Sequence, residues 1–439
     1  MIPFSEDQVK NKFWEPDAWD ENLPSPGFIT DFILHTRGIE TPSKFSTWIA
    51  LWLISSITKR QCWFKLFPKG LYTNLYVFLV GPPRICGKGY GISFGENLIK
   101  DFHTRIMDPE KQVDKKANIL RSRATPESFR IALEPVKENL LIGEGKVKAV
   151  NRGSQLCLIT EELATFLGPQ KYNAGLISKL TDLYNCKDED DDLTINAGWK
   201  KFENIYLTWI AAATKDHLED TIPSQAFGGG FMSRVILVYQ PTLTRIHSDP
   251  LEVIGGPTEN DLFKRLAWVA EQAYGEYDFS DKAWEWYDAW YTAFKKDLQK
   301  RSSIGDSKCL TFRMDTHLKK IALLVRLQRY EIGNVVEIRD LLEAKRILDA
   351  TFCDNEIAVS DVGVSREMQA YNLIANLIKS HQKITRTKLI RTVSKKHSVD
   401  IVNTIVYQLV EEKKVKIKLG DRLQGKPSRN GAEVYEWAR

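Results

Sequence analysis

The chain predicts an α/β protein: a mostly parallel β-sheet bearing a phosphate-binding loop, with helical segments before and after it and a C-terminal winged helix-turn-helix. Three observations predict this. Four continuous apolar runs, at 71–80, 156–160, 206–213 and 234–239, alternate with helical stretches, the pattern of strands buried on both faces. The first run stops at Gly81-Pro82-Pro83-Arg84-Ile85-Cys86-Gly87-Lys88-Gly89, which opens onto a helix through 92–99. Residues 366–439 then read as helix, helix, helix, strand, loop, strand.

The remaining elements follow in order. Residues 1–69 form a helical N-terminal segment, irregular over 1–27 where four prolines fall, then helical over 28–66 with Ser43 or Ser46 as N-cap. The run 48–57 is ten residues long, apolar but for Ser55 and Ser56, about half a membrane span, and so a buried helix rather than an anchor. Residues 70–245 hold the α/β domain. Residues 246–360 return to a helical pattern rich in Trp and Lys. In 366–439, Tyr371, Ile374, Leu377 and Ile378 share one face of the first helix. Thr385 caps the second helix and Ser398 the third, Val415–Leu419 alternates as a strand, and 434–437 returns beside it.

Composition sets the class. The 439 residues, 43% hydrophobic and 27% charged, suffice for two or three cored domains and exclude a fibrous or wholly disordered chain. Charge is uneven: 366–439 carries 16 Lys+Arg against 7 Asp+Glu, a surplus of nine, whereas the whole chain is only +5. A basic tail on a slightly acidic remainder points to a polyanionic partner. Six cysteines at 62, 86, 157, 186, 309 and 353 make no Cys-x-x-Cys pair, which fits reduced core thiols in a cytoplasmic protein better than disulfides or zinc. No secretory signal opens the chain.

The candidate chemistry lies between the strands. A strand–loop–helix unit cradles phosphates with backbone N–H groups; here the loop and helix start are Gly81, Pro82, Pro83, Arg84, Ile85, Cys86, Gly87, Gly89 and Tyr90, and Lys88 reaches the terminal phosphate oxygens. The loop has one residue more than the usual spacing, and Gly89 replaces the Ser or Thr that ligates Mg²⁺; Ser93 lies one helical turn beyond. The bland alternative is a Gly/Pro turn that holds a lysine. Glu161 and Glu162 end the second apolar run. In nucleotide hydrolysis the first such carboxylate holds Mg²⁺ through water and the second orients the attacking water; otherwise both simply begin a helix. Thr214, at the end of the third run, either meets the γ-phosphate or caps a helix. Lys200 and Lys201, beside the turn at Asn196-Ala197-Gly198, either contact a phosphodiester backbone or form a solvated pair. Arg234 sits on the glycine-rich loop Gly228-Gly229-Gly230, placed to stabilise transition-state charge in a neighbouring subunit. Arg313 begins a helix that can lie over the nucleotide. A surface arginine is the default for each.

Taken in order, these elements resemble the AAA+ replicative helicases of the minichromosome-maintenance (MCM) type, in the short form encoded by phages and mobile elements. Ile195-Asn196-Ala197-Gly198-Trp199 resembles the pre-sensor hairpin and Ala211-Ala212-Ala213-Thr214 the sensor-1 strand end. Met232-Ser233-Arg234-Val235 resembles the arginine-finger motif, Phe312-Arg313 the start of the sensor-2 helix, and the helix from Asp340 the lid. The resemblance implies an ATP- and Mg²⁺-dependent DNA helicase or translocase, with Glu161 as metal ligand, active as a hexameric ring whose ATP sites lie between subunits. It implies single-stranded or forked DNA as substrate and a primase or polymerase as candidate partner. The winged helix would anchor DNA through Arg386, Lys388, Arg391, Lys395 and Lys396. The alternative is a DNA-binding initiator or loader that uses ATP as a slow switch. Three features depart from the family: a short helical segment stands in place of its N-terminal oligonucleotide-binding domain, Glu161 replaces Asp, and Gly89 removes the hydroxyl.

Overall fold

The computed structural model describes residues 19, 22–66, 69–105, 118–121, 126–135, 137–142, 146–151, 153–168, 170–194, 198–223, 226, 230–246, 256–301, 310–353, 366–394, 398–419 and 433–438. The chain divides into two compact units, Met1–Val362 and Gly363–Arg439.

The first unit is built on a five-stranded, all-parallel sheet in the spatial order Val235–Tyr239, Tyr76–Val80, Tyr206–Ala213, Gln155–Thr160, Asn118–Leu120. The three middle strands are buried residue for residue, so their sequences run apolar without alternation. Register sets their ends nearly level: Ala213 pairs with Val80, and Ala211 with Thr160. Trp209 locks the centre. It lies edge-on to Phe78, Tyr76 and Phe166, and its Nε1 donates to Thr160 Oγ1 at 3.0 Å.

The apolar run 48–57 forms the middle of helix Ser43–Thr58, buried along all 16 residues. A helix buried all round lies in a core, and several of its polar groups are matched there, although Trp52 Nε1 has no partner among the described residues. Trp48 Nε1 donates to Thr351 Oγ1 at 2.8 Å, Ser55 Oγ meets the Tyr206 and Thr208 hydroxyls at 3.1 Å each, and Lys44 Nζ donates to Tyr239 O at 3.0 Å. Neither expected serine caps this helix. Pro42 holds the cap position without a side-chain capping bond, Ser43 is the first helical residue, and Ser46 N donates to Pro42 O at 3.0 Å.

Two expectations change. The strand read over 71–80 is two strands. Leu71–Tyr72 pairs antiparallel with Cys62–Phe64, and the chain turns before Tyr76–Val80 joins the main sheet. Buried polar contacts hold the bend: Thr73 to Thr58 at 2.9 Å, and Asn74 Nδ2 to Tyr184 O at 2.9 Å. The stretch after 246 is also not wholly helical. Gly275–Phe279 and Val335–Val336 join Cys62–Phe64 and Leu71–Tyr72 in a second, four-stranded sheet, ordered Val335–Val336, Gly275–Phe279, Cys62–Phe64, Leu71–Tyr72. The helices of this region are Glu259–Gln272, Asp281–Arg301, Met314–Gln328 and Ile338–Phe352. Among the described cysteines, 62, 86, 157 and 186 are buried thiols, whereas Cys353 is exposed rather than part of the core. No helix among the described residues is long and apolar enough to cross a membrane.

The second unit has helices Arg366–His381, Arg386–Val393 and Val399–Glu411, with Thr385 and Ser398 capping the last two as expected. Its sheet has three strands rather than two, because Lys383–Thr385 pairs with Glu433–Trp437, which also pairs with Val415–Leu419. Ile374, Ile378, Leu389, Val402, Ile405, Leu409 and Tyr435 share its own core.

Trp209→Ala removes a wholly buried indole and is expected to cost about 3–5 kcal/mol. Trp199→Ala, at a residue 72% exposed, should change stability by no more than about 0.5 kcal/mol. Thermal unfolding midpoints of the two variants check this contrast.

Candidate nucleotide site

Strand Tyr76–Val80 feeds the loop and helix Lys88–Arg105 takes over at its end. The loop is shaped by close packing. A Cβ on Gly81 would stand 2.6 Å from Gln240 O, and one on Gly87 would stand 3.0 Å from the Glu40 carbonyl carbon and Thr41 N, with Gly87 at φ +52°. Arg84 takes φ 59°, Thr41 Oγ1 donates to Gly87 O at 2.9 Å, and Cys86 is turned inward against Gln240 O and Thr242 O. Burial pushes the Cys86 thiol up to about 11, so it stays neutral. Lys88 Nζ reaches back over the loop to Gly81 O at 2.7 Å and Pro82 O at 2.8 Å, and burial draws its ammonium below the usual lysine range.

The second strand delivers the acids. Glu161 and Glu162 follow Gln155–Thr160 directly, and Glu162 is the N-cap residue of the short helix Leu163–Leu167, without a side-chain capping bond, so the helix-start reading holds for it. Glu161 Oε1 accepts from Ser93 Oγ at 3.3 Å. Glu162 lies 3.1 Å from His217 Nδ1 through one oxygen and accepts from Thr165 Oγ1 at 3.4 Å through the other. The third strand ends at Ala213, and Thr214 Oγ1 accepts from His217 N at 3.2 Å as the N-cap of helix Lys215–Thr221. The capping role of Thr214 is therefore realised, while the residue still borders the same cavity.

That cavity is about 830 Å³ and is lined by Glu40, Pro83, Arg84, Gly87, Lys88, Gly89, Tyr90, Ser93, Glu161, Glu162, Thr214 and His217, among others. It has the size of a small-ligand cleft, at the carboxyl ends of parallel strands where α/β proteins bind ligands. A lysine and two carboxylates converge there from the strands on either side of Tyr206–Ala213, a set able to hold a polyphosphate and to place a water. Glu161 and Glu162 supply the oxygen donors a Mg²⁺ ion takes in company with phosphate; among the described residues no group of three or more His, Cys, Asp or Glu forms a self-sufficient metal cage. Sequence reading missed His217 and Glu40. His217 is the third residue beyond the cap at Thr214, a spacing that would have placed it in the first helical turn. Glu40 comes from a distant segment and left no local signal.

Arg234 and Arg313 lie outside this cavity. Arg234 is 9% exposed in the turn Met232–Arg234, its Nη1 donates to Gly230 O at 2.6 Å, and its Nε has no partner among the described residues. Burial, and then the charge of Arg313, draw the Arg234 pKa below its ordinary value. Arg313 stands at the N-terminal end of helix Met314–Gln328. That helix also carries Lys320, whose ammonium lies 3.9 Å over the Tyr184 ring, donates to Asn74 O and Oδ1, and is pushed down to about 7 by burial. His317 donates from Nε2 to Ser233 O at 3.0 Å; burial, with Lys320 beside it, lowers its pKa to about 3 and keeps the ring neutral. The two arginines make no ion pair among the described residues and form a cationic cluster with Lys320 around Tyr184.

The hairpin Glu189–Thr194/Gly198–Glu203 forms as expected, with Ile195, Asn196 and Ala197 outside the described residues. Its lysines are not a free basic tip. Lys200 pairs with Glu134 at 2.5 Å, and Lys201 with Glu189 at 3.2 Å and Glu203 at 3.4 Å. Trp199 is the exposed residue beside them. In the second unit Lys388 and Arg391 are exposed on helix Arg386–Val393, and Arg386 is half-buried against Asn403 and Glu433; Lys395 and Lys396 lie outside the described residues. The third helix, Val399–Glu411, carries no lysine or arginine.

No protein-family model matches the chain, and no curated protein matches it. Among solved structures, one similar chain is a full-length MCM homolog from Methanopyrus kandleri, at 12% identity and a TM-score of 0.39 over 74% of this chain. This chain spans 58% of that homolog's length.

The loop geometry makes a sharp prediction for two neighbouring glycines. Gly87→Ala forces a side chain into a left-handed, tightly packed position and should cost about 1–3 kcal/mol. Gly89→Ala meets no atom within 4 Å in the first helical turn and should be neutral or stabilising by up to about 1 kcal/mol. Thermal melts of the two variants distinguish them.

Proposed function

We propose that the chain is an MCM-like AAA+ ATPase that drives movement along DNA as a ring, with ATP sites completed between subunits. The observation that carries this reading is the convergence of Lys88, Glu161 and Glu162 in one cavity, at the ends of the two parallel strands that flank Tyr206–Ala213. In this reading the Lys88 ammonium leaves the Gly81 and Pro82 carbonyls for the β- and γ-phosphate oxygens. Glu162, held by His217 and Thr165, orients the attacking water. Mg²⁺, held on the Glu161 side, supplies neutralisation of phosphate charge when bound. Arg234 and Arg313, remote from their own subunit's cavity and without carboxylate partners among the described residues, serve a neighbour's γ-phosphate. In this reading the chain works as a ring, hexameric in the resembled family. The basic second unit contacts DNA through Lys388 and Arg391, by phosphate attraction that weakens with salt.

A second reading has its own support. Gly89 lacks the metal-side hydroxyl, and both hairpin lysines are already ion-paired, which suits an initiator or loader that binds ATP as a slow switch.

Steady-state ATP hydrolysis with and without single-stranded DNA tests both. The motor reading expects stimulation by DNA and losses of roughly 10²-fold or more in Glu162→Gln and in Arg234→Ala. His217→Ala should lower turnover while nucleotide affinity is kept. Nucleotide binding without turnover supports the switch. Unchanged turnover in both Glu162→Gln and Arg234→Ala contradicts the assigned site.

A further inference from the structure

The helix that starts at Lys88 has no hydroxyl where a phosphate-loop helix ordinarily provides one for the divalent cation. Position 89 is glycine, and a Cβ there would meet no atom within 4 Å, so no packing demand explains the missing side chain. One helical turn further, Ser93 borders the same cavity and its Oγ donates to Glu161 Oε1 at 3.3 Å. Glu161 is one methylene longer than aspartate, which suits a carboxylate that reaches a hydroxyl lying farther along the helix. The second carboxylate, Glu162, is engaged by His217 and Thr165 instead, so the two acids are held by different partners.

We propose that Ser93 replaces the hydroxyl absent at position 89: it is the positioning residue that fixes the Glu161 carboxylate for a Mg²⁺ ion accompanying a nucleoside triphosphate. The inference rests on the nucleotide reading of this cavity and adds to it the assignment of the metal-side pair, Ser93 with Glu161. One Glu161 oxygen takes the serine hydrogen bond, which leaves the other lone pairs for the cation or its bound water. Partners that orient a metal-binding carboxylate in this way are typically worth 10–100-fold in metal affinity.

The test uses the full chain, a fluorescent ATP analogue and a Mg²⁺ titration, with a parallel measurement in EDTA. Ser93→Ala favours the helix, so the fold is not at risk. The expected result is at least a roughly tenfold rise in the Mg²⁺ concentration for half-maximal binding, with analogue affinity in EDTA unchanged. Ser93→Thr should keep the wild-type Mg²⁺ requirement, and Gly89→Ser added to Ser93→Ala should move it back toward wild type, since position 89 has room for the side chain. A Ser93→Ala protein with the wild-type Mg²⁺ requirement overturns the proposal. So does one whose affinity falls equally with and without Mg²⁺, because the serine would then act only on structure. Wild-type protein that binds no analogue in either condition overturns the nucleotide site itself, a result distinct from both.

Discussion

The parallel register of three strands buried on both faces is the constraint on which the rest depends. Their neighbours leave them no freedom to slip: a one-residue shift would turn every side chain to the opposite face. Trp209, packed among Phe78, Tyr76 and Phe166 and bonded to Thr160, ties the three together at mid-strand. Because Val80 stands opposite Ala213 and Ala211 opposite Thr160, the chain leaves all three strands at one edge. Lys88, Glu161, Glu162, Thr214 and His217 come together there although they span more than a hundred residues of sequence.

The cations divide into separate groups with separate chemistry. Lys88 shares the cavity with Glu161 and Glu162 and is held by loop carbonyls. Arg234, Arg313 and Lys320 crowd around Tyr184, where burial and mutual repulsion lower the pKa of Arg234 and Lys320. Burying such a cluster is costly, and the charge of Asp182 offsets only part of that cost at Arg234. In the second unit helices Arg366–His381 and Arg386–Val393 and the sheet carry lysines or arginines, whereas helix Val399–Glu411 carries none.

Legibility in the sequence follows the range of the interactions involved. The central strands were readable because burial on both faces writes an uninterrupted apolar run. The loop was readable because its glycines and lysine are contiguous, and the caps at Thr385 and Ser398 because capping is local. The two-residue strand at Leu71–Tyr72 and the strands Cys62–Phe64 and Gly275–Phe279 were not, since a short strand is specified by its partner rather than by its own pattern. The lysines of the hairpin looked free in sequence; Glu134, the partner of Lys200, lies 66 positions away. Arg234 looked like a surface residue because nothing local reveals that Tyr184 and Arg313 enclose it. Ser93 stood in plain view, but its meaning depends on Glu161, 68 residues distant.

The central claim is that the edge of the parallel sheet is a nucleoside-triphosphate site organised around Lys88. Equilibrium titration of ATP onto the intact chain and onto Lys88→Ala tests it most directly. The account predicts saturable binding to the wild type and at least a roughly tenfold loss on removing the ammonium, in keeping with a charge-assisted contact to phosphate. Equal affinity of the two proteins would contradict it.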